Sequence, residues 1–69
     1  MIVYRVHDML EGEMQFVSNR REAMSLYAKL EAASVTKVEI PSKITKAVAL
    51  TLLNGQQYAV SQETIVSKQ

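Results

Sequence analysis

The chain has no cysteine and no tryptophan, one histidine, one proline and two glycines. Without cysteine it can form neither a disulfide nor a thiolate metal site, and an intracellular protein is the expected reading. Two glycines are too few for a glycine-rich loop that cradles phosphate. No serine sits in a Gly-x-Ser-x-Gly elbow, and the single histidine, His7, has no second histidine or cysteine to complete a metal or nucleophile site. A long apolar run is also missing at the start, where Arg5 and Asp8 interrupt the stretch after Met1. The expectation is therefore neither a signal peptide nor a membrane span, and a cytoplasmic address. Charge of one sign is scarce too: eight Lys and Arg against seven Asp and Glu leave +1, far from the balance of a dedicated nucleic-acid binder. These absences predict no catalytic residue, no cofactor and no metal, hence a protein that is not an enzyme.

What remains is an ordinary globular composition, 48% hydrophobic and 22% charged over 69 residues. That is enough for one small domain spanning 1–69, with its last few residues frayed. Ile2, Tyr4 and Val6 alternate with Val3, Arg5 and His7. After the acidic segment 8–13, Met14 and Phe16 alternate with Gln15 and Val17. Period-two patterning on both sides of a loop holding Gly12 reads as an antiparallel hairpin with one apolar face, on which Tyr4 and Phe16 lie.

The period then changes. Asn19 is placed to N-cap a helix with Glu22 three residues on, and Ala23, Leu26, Tyr27, Leu30 and Ala33 fall on one helical face. With no glycine or proline before Pro41, this helix is expected to reach Ala32 or Ala33. The β-branched run 35–40 follows as a third strand, with Val38 and Ile40 toward the core and Lys37 and Glu39 away from it.

Two readings of 43–60 stand. Ser42 can cap a second helix over 43–53, with Gly55 as its stop. Alternatively, Asn54-Gly55 between two apolar runs signals a type I′ hairpin. The layout expected is α+β, a small antiparallel sheet of hairpin, helix and third strand in order 3-1-2, followed by the second helix (ββαβα) and a short C-terminal element.

Asp8, Glu11 and Glu13 lack the ligand pattern of a calcium loop, and a solvated turn explains them better. An exposed sheet face carrying Arg5, His7, Gln15, Lys37 and Glu39 is the first candidate for binding a partner, through the face or by strand addition at an open edge. If 43–53 is helical, Leu50 and Leu53 lie outside its main apolar face. They then mark either a partner surface, including one for a homodimer, or a patch covered by the tail with Tyr58 and Val60.

The residues Tyr4-Arg5-Val6-His7, Gly12-Glu13, Ser18-Asn19-Arg20-Arg21-Glu22-Ala23, Val38-Glu39-Ile40-Pro41-Ser42-Lys43 and Leu52-Leu53-Asn54 resemble small accessory proteins encoded by bacteriophages. In layout, the strand-helix-strand part is similar to a podophage inhibitor of host RNA polymerase, with Val35-Thr36-Lys37-Val38 in the place of that protein's Val-Thr-basic-Val run. This resemblance implies a phage-encoded modulator or inhibitor that binds a host protein in the bacterial cytoplasm. It carries no catalytic motif and transfers no functional residues. The expected function is a non-enzymatic protein-binding module. Two alternatives are a small nucleic-acid-binding protein using Arg20, Arg21, Lys37, Lys43 and Lys46, and a self-associating structural protein.

Overall fold

In a computed structural model of the chain, residues 1–41, 43, 45, 47 and 59–69 are described. Two strands, β1 (Ile2–Asp8) and β2 (Glu13–Val17), precede the helix α1 (Arg20–Ala28), and β3 (Ala33–Glu39) and β4 (Ser61–Lys68) complete one antiparallel sheet. Its order is β2-β1-β3-β4.

The hairpin turn is built by its own polar groups. Asp8 Oδ1 accepts from the amides of Leu10 and Glu11 at 3.0 and 3.2 Å, and the Gly12 amide donates to the Asp8 carbonyl at 2.8 Å. Gly12 closes the turn at φ +74°, a conformation that any Cβ disfavours. The helix begins where Asn19, in extended conformation, accepts from the Glu22 amide through Oδ1 at 2.8 Å, satisfying one of the donors that a helix start leaves unpaired.

The helix ends earlier than its sequence requires. Lys29 and Leu30 donate to the carbonyls of Leu26 and Tyr27, each at 3.1 Å, which tightens the last turn. Leu30 to Ala32 then turn the chain so that Ala33 enters the sheet, opposite Asp8 on one side and Lys68 on the other. Ala33, expected on the helix, is a fully buried strand residue. Strands on both sides enclose its methyl group, while its N–H and C=O point toward β4, because on this strand Ala32 and Ser34 are the residues that face β1 with their backbone groups.

Register decides which side chains share a face. Tyr4 and Val6 of β1 stand opposite Lys37 and Val35 of β3 on the helix side, whereas Val3 and Arg5 stand opposite Val38 and Thr36 on the other side. The apolar residues therefore split into two cores. Val6, Val17, Ala23 and Val35 pack under the helix with Tyr4, Met24, Leu26, Tyr27, Leu30, Ile65 and Val66. Val3, Val38 and Ile40 form a second core across the sheet, with Met1, Phe16 and Ala59 against it. Val3 is 0% exposed, so the expected one-sided hairpin is corrected: β1 buries residues on both faces. In β2 it is Val17 that points to the helix, while Phe16 joins the second core and Met14 is 55% exposed.

The layout ββαβα with order 3-1-2 is likewise overturned. The sheet has four strands in the order β2-β1-β3-β4, with one short helix, α1, packed on it. The second helix expected over 43–53, and the alternative Asn54-Gly55 turn, lie for the most part outside the described residues. The tail expected to be a short element with a frayed end is the eight-residue β4. A register shift between Val35 and Thr36 gives β4 one extra residue, Ile65, so that Ile65 and Val66 both pack with the helix-side core although they are neighbours in a strand. Near its end the Lys68 ammonium lies 4.4 Å from the centre of the Tyr27 ring, tying β4 to α1.

Ile40, 1% exposed, is the largest of the fully buried side chains. Ile40→Ala is expected to cost about 2–5 kcal/mol in urea unfolding. Gly12 has nothing within 4 Å of where a Cβ would stand, so Gly12→Ala should cost about 1–2 kcal/mol through backbone conformation alone. A null result for Gly12→Ala would show that the turn does not hold a positive φ in solution.

Candidate functional site

The helix-facing positions of β2 are Glu13, Gln15 and Val17, by register with Asp8, Val6 and Tyr4. Only Val17 is apolar, and it lies at the end of the strand nearest the helix start. Farther along, β2 offers no large apolar side chain to meet α1, which lies mainly over β1 and β3. A cleft of about 430 Å³ results, lined by Val6 and Asp8 of β1, by Glu13, Met14 and Gln15 of β2, and by Leu26, Lys29 and Leu30 at the end of the helix.

Its chemistry follows from those side chains. Val6, Leu26 and Leu30 make an apolar interior. Asp8 and Glu13, directly across from one another on adjacent strands, put two carboxylates near one ammonium, that of Lys29. One Asp8 oxygen is already held by the loop amides. His7, the only imidazole of the chain, lies on the opposite side of the sheet from this carboxylate pair, because consecutive strand residues point to opposite faces. The arrangement is an apolar surface with acidic and basic groups around it, and His7 lies outside it.

The sequence-derived binding face is not a single surface. Arg5 and His7 lie on the side away from α1, whereas Gln15, Lys37 and Glu39 lie on the helix side. Alternation within each strand was legible, but the relative face of two strands depends on register, and β3 pairs with β1 so that Val38, not Lys37, accompanies Val3. Lys37 and Glu39 are exposed because the nine-residue helix does not reach over them. Gln15 is the one residue of that set that lines the cleft. Leu50 and Leu53 lie outside the described residues. Of the basic candidates, Arg20, Arg21, Lys37 and Lys43 are exposed, and Lys46 is outside the described residues. Of the cleft residues, Leu26 and Leu30 are legible in the sequence only as helix positions, and Lys29 is not singled out by any pattern. Their signal was the polar pair Glu13 and Gln15 facing an apolar helix stripe, which becomes visible only once the strand's orientation is known.

Arg5 has a structural role. Its guanidinium donates to Gln62 Oε1 at 2.9 Å and to Thr36 Oγ1 at 3.4 Å, and Thr36, 3% exposed, lies 3.3 Å from the Thr64 hydroxyl. These four side chains stitch β1, β3 and β4 together on the face away from the helix. Among the described residues no helix is long and apolar enough to cross a membrane. In comparisons with known proteins, no family model, no curated protein and no solved structure matches this chain.

Arg5→Ala is expected to cost about 1–3 kcal/mol, since it removes charged hydrogen bonds and leaves the buried Thr36 hydroxyl with Thr64 as its remaining partner. Gln62→Ala, at an exposed position, should cost about 0.5 kcal/mol or less. Chemical denaturation of both variants and of the double mutant measures their coupling, and equal losses at the two sites would remove Arg5 from its stitching role.

Proposed function

We propose that the protein acts by binding another protein, without catalysing a reaction, and that the cleft between β2 and α1 receives an apolar side chain of that partner. The observation that carries this reading is the cleft itself, an apolar interior rimmed by Asp8, Glu13 and Lys29 beside the outer strand β2. Small-ligand and peptide sites share this composition, a concave apolar surface with a few polar groups that fix orientation. The resemblance to phage accessory proteins supports a host bacterial protein as the partner, the cytoplasm as the place of encounter, and a modulatory or inhibitory role.

The nucleic-acid alternative draws less support. Lys37 stands directly opposite Glu63 on β4 and two residues from Glu39, so its charge is locally balanced where phosphate binding needs an uninterrupted basic track.

A cleft-filling variant tests the reading. Gln15→Trp places a large side chain that strands tolerate well at the mouth of the cleft. In affinity capture from bacterial lysate with quantitative mass spectrometry, the wild-type chain is expected to retain a specific protein. Gln15→Trp, folded by circular dichroism, should retain about ten-fold less of it. Equal retention by both would place binding elsewhere, and no retention by folded wild-type protein would overturn the reading.

A further inference from the structure

The edges of the sheet differ. β4 is kinked by the extra residue near Val35, a device that discourages another strand from pairing there. The pairing of β2 with β1 has no such shift, so the outer edge of β2 runs straight. The Met9 amide donates to the Ala32 carbonyl, which directs the backbone groups of His7 and Arg5 toward β3 and those of Asp8, Val6 and Tyr4 toward β2. On β2, then, Glu13, Gln15 and Val17 bond back to β1. The N–H and C=O of Met14 and Phe16 point outward, and among the described residues no strand lies beside them.

Charge along this edge is divided. Exposed Glu11 and Glu13 stand at the start of β2, and exposed Arg20 and Arg21 follow its end. Both arginines occupy the first turn of α1, where the positive end of the helix dipole disfavours cations, and among the described residues neither makes an ion pair. A strand laid antiparallel to β2 would need a basic end beside Glu13 and an acidic end beside Arg20. β2 itself has that pattern.

We propose that β2 pairs with β2 of a second copy of this chain about a two-fold axis at Gln15, joining two four-stranded sheets into one of eight. Met14 and Phe16 of each copy then exchange backbone hydrogen bonds with Phe16 and Met14 of the other, four bonds in all. Glu13 comes opposite Val17 of the second copy, and Glu11 and Glu13 approach its Arg20 and Arg21, twice by symmetry. On the face away from the helices, exposed Met14 meets Phe16 of the second copy as a cross-strand pair. With the axis normal to the sheet, both helices and both clefts lie on one face. The inference goes beyond the cleft reading and does not rest on it, since the pairing uses backbone and end charges and needs no occupant in the cleft.

The test is the mass of the purified full chain by sedimentation equilibrium at low salt. The expected result is about twice the 7.7 kDa of one chain, with dissociation favoured as salt rises. Met14→Pro removes an outward N–H and no bond to β1, a substitution that edge strands tolerate, and should give a folded monomer. Glu11→Lys with Glu13→Lys should weaken the dimer about ten-fold or more, as should Arg20→Glu with Arg21→Glu. Mixing the two charge-reversed proteins should restore a dimer containing one of each, and this arm stands even if Met14→Pro fails to fold. A monomer throughout at low salt and high concentration would overturn the proposal. So would a dimer that neither charge reversal weakens. A protein monomeric alone whose lysate partner is lost on Met14→Pro would instead assign the edge to a foreign strand. Absence of any lysate partner leaves the mass measurement unaffected, so the two readings fail separately.

Discussion

The register of β1 against β3 is the constraint on which the rest of the molecule depends. Pairing Val3 with Val38 and Val6 with Val35 sends two valines to each side of the sheet, and each pair seeds its own core. A shift of one residue would turn both valines of one strand to the face opposite their present partners. Burying all four valines fully or nearly so contributes on the order of 1.5–3 kcal/mol for each side chain, so no other register is competitive for a chain this small. The Arg5–Thr36–Gln62 hydrogen bonds form only in this register and supply the polar counterpart of the same lock.

Once that register is set, the helix has limited work and limited reach. It covers β1 and β3, where Val6 and Val35 lie, and leaves β2 largely uncovered because Glu13 and Gln15 offer it nothing apolar to bury. The cleft and the open β2 edge are two consequences of one mismatch: a strand with one apolar helix-facing residue beside a helix whose apolar stripe continues past it. The two adjoin one another on the same strand.

Much of the local structure was legible from residues alone. Alternation marked β1 and β2, Asn19 with Glu22 marked the helix start, and the β-branched run marked β3, because each of these signals acts within a few residues of itself. The helix end was not legible. Leu30 to Ala33 carry no breaker, and the chain leaves the helix there because Ala33 is required between Asp8 and Lys68. β4 was not legible either, since SQETIVSK has only two apolar residues and they are adjacent, a pattern that fits a strand only when a bulge turns both toward one face. The binding face was misjudged for a related reason: Arg5, His7, Gln15, Lys37 and Glu39 each face away from their own strand's apolar neighbours, but those neighbours belong to two cores.

By itself the sequence determined the elements whose signals are local: the Asp8–Gly12 turn, the start of the capped helix and the alternating strands. Tertiary structure alone decided the fourth strand, the early end of the helix, the division of the apolar residues between two faces, and the meeting of Val6, Gln15 and Leu30 around one cleft. The physical reason is that a side chain's periodicity states which neighbours within its own element share its face, whereas pairing between elements far apart in the chain states which face that is.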